Sequence, residues 1–190
     1  MGTFNRTQHV NEKQSMNDKI RNKPEMIDFV GIRVRHFTTI SFDQVLVELR
    51  SRVGETSNND KKQLNIDAET REEFEKKVER LVGPSGFMLF AEIDHGRWIQ
   101  KFGIKRRMLR WIIGNPLIAI TMIQYDYTAG LFVPIDLLLA ENDDGVGCNV
   151  TYAVPSSLIM FEKNPELRLA AEILDAKFES LVSEAMATKE

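Results

Sequence analysis

The sequence contains only one cysteine, Cys148, among its 190 residues. A single thiol excludes an internal disulfide framework and any zinc or iron–sulfur site built from several cysteines, and it is typical of proteins from a reducing compartment. No N-terminal stretch has the form of a signal peptide, and no apolar run is long enough to cross a bilayer without charges or turns. We therefore expect a cytoplasmic protein with no membrane partner.

The sequence also lacks an excess of positive charge and the glycine-rich loops that bind phosphates. It has 25 Lys and Arg residues against 28 Asp and Glu residues, so its formal net charge is −3. This balance disfavours a general electrostatic attraction to nucleic acid, and any anion site must be local. Neither a phosphate-cradling loop nor a dinucleotide fingerprint is present. We expect no cofactor, and the charge balance disfavours a nucleic-acid partner.

The length and composition predict one folded domain with an N-terminal arm. A chain of this size with 43% hydrophobic residues is long enough to bury a single core. Residues 1–29 are polar, mix both charge signs and show no periodic apolar face, which predicts a disordered arm. Residues 30–190 are predicted to form the domain.

Hydrophobic periodicity predicts both strands and helices in this domain. A half-buried strand at residues 32–37 precedes a helix that begins with a capping box at Ser41 and Gln44, and residues 54–66 read as a loop before a second helix. Four further strands are predicted at residues 87–94, 108–113, 133–141 and 146–153. A long amphipathic helix begins at Asn164. The pattern predicts an α+β protein in which this last helix packs on the sheet.

Residues 116–124 fit two structures. Asn115 and Pro116 are typical of a helix cap and a first helical position, whereas the isoleucine-rich pattern that follows favours a strand; we favour the helix. Tyr125 and Asp126 end this segment and could line the mouth of a pocket. The alternative for Tyr125 is a half-buried core residue whose hydroxyl lies in water.

Glu92, Asp94 and His95 form the stretch most suggestive of chemistry. The two carboxylates point to the same face of an otherwise apolar strand, where like charges raise one pKa and create a general acid and base. In this hypothesis His95 is the base, Asp94 orients it and Glu92 is the acid. The alternative is structural: Asp94 caps the following turn and Glu92 pairs with Lys101 or Arg97. His95 points away from both carboxylates, so we expect no metal site.

One local cluster of basic residues is interleaved with tryptophans. Its members are Trp98, Lys101, Lys105, Arg106, Arg107, Arg110 and Trp111. Aromatic rings among cations can stack bases or bind a phosphate or carboxylate. Basic residues also protect an edge strand from pairing with another sheet. We favour this protective role, or a solvated face, because the net charge of the chain is negative.

Several short motifs occur in a characteristic order. They are residues 90–96 (FAEIDHG), Gly114-Asn115-Pro116, Val133-Pro134, Tyr152 and Pro155. Together they resemble the domain-of-unknown-function family 302, over about residues 31 to 185. The resemblance implies a homodimer with a compact α+β fold, similar to the TATA-binding-protein-like or helix-grip group, in which a curved antiparallel sheet wraps a long helix. It implies no activity. Residues 54–85 look like an insertion relative to other members.

We hypothesise that the domain binds an apolar or aromatic small molecule between its sheet and the closing helix, with Glu92, Asp94 and His95 at the polar end. If the site is catalytic it has only acid and base groups, which predicts a cofactor-free cyclase, isomerase or aldol-type enzyme acting on a carbonyl-rich biosynthetic substrate. The residues expected to line the ligand are Trp98, Lys101, Asn115, Tyr125, Asp126 and Tyr152. The alternatives are a non-catalytic homodimeric domain with a structural or interaction role, and a local binder of anions or nucleic acid.

Overall fold

The structure is a computed structural model that describes residues 24, 26–57, 70–159 and 164–187. The elements in chain order are β1 (Arg33–Thr38), α1 (Phe42–Arg52), β2 (Gly54–Glu55), α2 (Arg71–Leu81), β3 (Met88–Asp94), α3 (His95–Ile99), β4 (Met108–Gly114), α4 (Pro116–Ile123), β5 (Ile135–Glu141), β6 (Cys148–Ala153), α5 (Pro155–Ile159) and α6 (Pro165–Ala185). Short 3₁₀ helices cover Gln100–Phe102 and Tyr127–Leu131. The predicted arm, residues 1–29, lies mostly outside the described residues.

The described strands form one six-stranded sheet in the order β1-β6-β5-β4-β3-β2. The predicted α+β class is confirmed, with the sheet packed against helices that include the long C-terminal α6. Neighbouring strands are antiparallel except for β2, which runs parallel to β3. β2 lies in the segment that we predicted as a loop. It pairs there because the Gly54 N–H, at the end of α1, donates to the Phe87 carbonyl oxygen at 2.9 Å.

Local sequence signals set where the helices begin. The capping box of α1 is confirmed, because the Ser41 hydroxyl accepts the Gln44 N–H while the Gln44 side chain accepts the Ser41 N–H. The helix favoured for residues 116–124 is also confirmed. Its cap is Asn115, whose side chain accepts the Leu117 N–H at 2.8 Å, and Pro116 occupies the first helical position.

The main hydrophobic core lies between one face of the sheet and helices α1 and α6. α6 buries most of the stripe that its periodicity predicts, namely Leu167, Ala171, Leu174, Phe178, Leu181 and Ala185. Ala170, which the same pattern includes, is only partly buried. A smaller cluster around Val78 and Met88 joins α2 to β3. Among the described residues, no helix combines the length and the apolar character needed to cross a bilayer.

Candidate functional site

An apolar cavity of about 180 Å³, partly open to solvent, lies between the start of β3, the end of β4, α4 and α6. Its lining residues are Phe87, Phe90, Gly114, Asn115, Pro116, Ile118, Ala119, Met122, Val133, Pro134, Ile135 and Leu174. We refer to it as the apolar cavity. Asn115 carries the only polar side chain among these residues, and none of them titrates. The cavity therefore offers shape and apolar surface rather than acid or base groups.

The Asn115 side chain is held by the backbone on both sides. Its Nδ2 donates to the Gly86 carbonyl oxygen at 2.8 Å, and its Oδ1 accepts the Leu117 N–H at 2.8 Å. The amide thus ties the start of α4 to the turn that precedes β3. Its polar atoms already have partners, so its main effect is to position the cavity wall.

Phe87 forms another part of the wall of the apolar cavity and is held by packing and hydrogen bonds. The Phe87 ring meets Phe178 of α6 edge to face, with centroids 5.9 Å apart. The Phe87 carbonyl oxygen accepts two backbone N–H groups, those of Gly54 and Gly83, both at 2.9 Å. These contacts preform the wall, so that a ligand need not order it on binding.

Glu92 lies on the face of β3 that the helices cover, opposite Trp111 of β4. Its Oε2 accepts the indole N–H of Trp111 at 2.8 Å and a guanidinium N–H of Arg50 at 2.5 Å. The Arg50 guanidinium also lies 5.3 Å from the centroid of the Trp111 ring. Glu92 is therefore paired with Arg50 of α1, and not with Lys101 or Arg97, which the sequence suggested as its basic partners.

Replacing Glu92 with leucine is expected to lower the free energy of unfolding by about 1–3 kcal/mol, because it leaves the indole N–H of the buried Trp111 without an acceptor. Glu92→Gln keeps an oxygen at this position and loses only the partly exposed ion pair with Arg50, so its expected cost is about 1 kcal/mol or less. Urea denaturation of the two variants measures the difference. Equal stability of Glu92→Leu and wild type would show that the Trp111 bond contributes nothing.

Asp94 and His95 also have partners within the fold. Asp94 caps α3 through its Oδ1, which accepts the Arg97 N–H at 2.8 Å, as the structural alternative predicted. The His95 Nδ1 accepts the indole N–H of Trp98 at 3.1 Å. The next residue, Gly96, has no room for a side chain, because a Cβ there would lie 2.8 Å from the Arg106 carbonyl oxygen. Contacts within the fold therefore account for Asp94, His95 and Gly96. The catalytic roles of Asp94 and His95 remain a prediction.

The structure separates the residues that the sequence grouped as one site. Asp94 is opposite Leu109 and shares the covered face with Glu92, as predicted. Neither carboxylate lines the apolar cavity, and His95 lines a shallow depression elsewhere on the sheet. Of the predicted ligand residues, Asn115 lines the apolar cavity. The others lie apart from it: Trp98 and Lys101 on the surface, Tyr125 in a groove between α4 and α6, Asp126 as the cap of a 3₁₀ helix, and Tyr152 in the core.

Tyr152 belongs to a polar cluster that the sequence did not predict. Its hydroxyl donates to Glu179 of α6, which also lies 3.1 Å from the His36 Nε2 and accepts a hydrogen bond from Ser183 at 2.8 Å. Burial, and then the neighbouring Glu179, raise the pKa of Tyr152. Burial opposes ionisation of Glu179, but the hydrogen bonds from Tyr152 and Ser183, together with the neighbouring His36, outweigh it and lower the pKa of Glu179. No sequence signal pairs these residues, because His36 and Glu179 are 143 positions apart.

The basic cluster is largely paired with acidic side chains. Arg106 pairs with Asp143, Arg107 forms two hydrogen bonds to Asp43 at 2.6 and 2.8 Å, and Arg110 pairs with Asp136 at 2.7 Å. Trp111 is 1% exposed, so its ring cannot stack on a base. Three of the five cations are therefore neutralised locally, which favours the structural interpretation over an anion site.

The sequence suggested an apolar site between the sheet and the closing helix, but of the residues that line the apolar cavity it named only Asn115. The walls of the cavity come from the starts of β3 and β5, from α4 and from α6, and each lining residue looks like an ordinary core residue in its own segment. The one usable signal was Gly114-Asn115-Pro116, which marks a strand end that turns directly into a helix. In the part of the chain that the structure describes, no three His, Cys, Asp or Glu side chains are grouped closely enough to hold a metal ion.

Comparison with known proteins identifies a family and a similar solved structure. Residues 63–185 match the family described as "Domain of unknown function DUF302". The fold is similar to the "Crystal structure of uncharacterized conserved protein DUF302 from Bacillus stearothermophilus", with a TM-score of 0.56 and 14% sequence identity, over 80% of this chain and 97% of that chain. At this identity the similarity concerns the fold alone. No curated protein matches the chain.

Proposed function

The chain belongs to the DUF302 family, whose name assigns no activity, and from its geometry we propose that it binds a small apolar or aromatic molecule in the apolar cavity. The family resemblance predicted from the sequence for about residues 31–185 is confirmed over residues 63–185. The main support for binding is the cavity itself, a preformed space lined almost wholly by apolar side chains. Such spaces are the usual form of a small-molecule site.

The size of the apolar cavity limits the ligand to about one ring. An engineered cavity of about 150 Å³ in another protein stays dry and binds benzene, whereas drug-sized ligands occupy about 300–1,000 Å³. The volume of the apolar cavity, about 180 Å³, is close to that of the benzene-binding cavity. We therefore propose a single aromatic ring, or an alkyl group of similar volume, as the part of the ligand that is bound.

The lining of the apolar cavity favours an uncharged ligand. Burying an ionised group without a partner costs several kcal/mol or more, and the cavity holds no charged side chain to pair with it. Binding energy comes from removing apolar surface from water, at about 25 cal/mol per Å². For a ligand of one ring we expect a dissociation constant on the order of 1 mM or tighter.

A thermal-shift experiment with a cavity-filling variant tests the proposal. Toluene is expected to raise the melting temperature of the wild type, and benzoate is not, because its carboxylate has no partner in the cavity. Ala119→Leu fills part of the cavity and should remove the toluene effect. Ala187→Leu adds the same side chain at an exposed position outside the cavity and should keep it. No shift in the wild type, or an equal shift in Ala119→Leu, would contradict the proposal.

A second candidate is a non-catalytic homodimeric domain with a structural or interaction role. The observation that favours it is that Glu92, Asp94 and His95 each have a partner within the fold. We propose the homodimer under both candidates. An acid–base reaction by these three residues remains a further proposal, and it requires a substrate that approaches them from outside the apolar cavity.

The helix-grip architecture and the cytoplasmic location are also proposals. The first is supported by the way α6 packs its buried stripe along one face of the sheet. The second is supported by Cys148, a free and fully buried thiol whose pKa burial raises to about 11, as expected of an inert cysteine kept reduced.

A further inference from the structure

Helix α6 has a second apolar face that points away from the core. Leu169 and Ile173 are 61% and 50% exposed, and Tyr125, which follows the end of α4, is 47% exposed. Between the two helices runs a groove of about 300 Å³ that is lined in part by these residues. A contiguous apolar surface of this kind is more often an interaction site than a surface that stays exposed to solvent.

Two opposite charges flank the apolar centre of this face. Glu166 and Lys177 line the same groove and are eleven residues apart, which is about three helical turns and places them on one side of α6. Leu169, Ala170 and Ile173 lie between them. Neither charged side chain forms an ion pair with another side chain that the structure describes. We call Glu166, Leu169, Ala170, Ile173 and Lys177 the α6 stripe.

This arrangement of charges is complementary to itself. A twofold axis between Ala170 and Ile173 sets a second α6 antiparallel to the first, and it brings Glu166 of each copy against Lys177 of the other at both ends. Leu169 and Ile173 of each copy then face the apolar groove of the other copy. A partner of different sequence would need this spacing of charges by coincidence, whereas a second copy carries it automatically.

We infer that the α6 stripe is the surface through which two copies of this chain dimerise, with their α6 helices antiparallel. The inference rests on the homodimer of the proposed function and deepens it by naming the contacting residues. Apolar side chains at its centre and paired charges at its rim give this surface the anatomy of a specific interface.

Charge reversal tests the inference by sedimentation equilibrium of the 190-residue chain at low salt. The wild type is expected to dimerise with rising concentration. Glu166→Lys alone, or Lys177→Glu alone, sets like charges against each other at both ends and should weaken the dimer by about tenfold or more. The double variant restores opposite charges and should return the dimer to within about threefold of wild type. Glu79→Lys on α2 makes the same charge change on another exposed surface and serves as the control.

A second variant addresses the apolar centre. Ile173→Asp places a charge in the groove of the other copy and should abolish the dimer, while Leu131→Asp, at an exposed leucine outside the stripe, should leave it intact. A dimer that neither single charge reversal weakens overturns the inference but leaves the proposed homodimer standing. A wild-type chain that stays monomeric overturns both, and neither result bears on the toluene experiment.

Discussion

Replacing Phe178 with alanine is expected to lower the free energy of unfolding by about 3–5 kcal/mol, a large share of the roughly 5–15 kcal/mol that holds a domain folded. Phe178 is fully buried at the centre of α6. Its ring lies 4.8 Å from that of Tyr152 and 5.9 Å from that of Phe87, centroid to centroid, and both pairs meet edge to face. The alanine leaves a cavity under both rings and removes the support behind Phe87.

Phe102→Ala provides the matched control for Phe178→Ala. It removes the same side chain from a position that is 75% exposed, so its expected effect is within about 0.5 kcal/mol. Urea denaturation monitored by circular dichroism measures both variants. A loss at Phe178 no greater than that at Phe102 would show that α6 does not pack on the sheet as described.

Replacing Gly54 with alanine is expected to cost at least about 3 kcal/mol and to prevent folding if the protein is only moderately stable. A Cβ at this position would lie 1.8 Å from the Leu81 carbonyl oxygen and 2.8 Å from the Gly83 nitrogen. Both neighbours are backbone atoms at the end of α2, so no side-chain rotation can relieve the contact. Movement of Gly54 would also break its hydrogen bond to Phe87 and so disturb the wall of the apolar cavity.

The control for Gly54→Ala is Gly130→Ala. A Cβ at Gly130 meets only the tip of the Ile123 side chain, at 3.8 Å, and its backbone does not require glycine. We expect a change within about 0.5 kcal/mol there. Calorimetry of the two variants measures their melting temperatures. A Gly54→Ala protein that folds and is as stable as Gly130→Ala would contradict the close approach of β2 to the end of α2.

Most of the fold was predictable because its signals are local. The capping box at Ser41, the Asn115-Pro116 helix start and the buried stripe of α6 each depend on residues within a few turns of one another. β2 was missed for the opposite reason. A strand of two residues has no periodicity, and it exists because Gly54 bonds to Phe87, which is distant in sequence.

The candidate site was predicted less well, because it depends on contacts between distant segments. The sequence shows that Glu92 shares a face with Asp94, but the partner of Glu92 is Arg50, 42 positions away on another element. The apolar cavity is difficult to predict from the sequence for a similar reason. The periodicity of α6 indicates that Leu174 faces inward, but it carries no information on whether the space in front of this side chain is filled.

The most direct test of the central claim is an NMR titration of toluene into protein labelled at its methionine methyl groups. Met122 is buried in the lining of the apolar cavity, whereas Met26 is exposed and lies outside it. If the cavity binds a single ring, the Met122 methyl resonance shifts saturably and the Met26 resonance does not, and Ala119→Leu removes the shift. A Met122 resonance that stays in place, or that moves in proportion to toluene together with Met26, would contradict the claim.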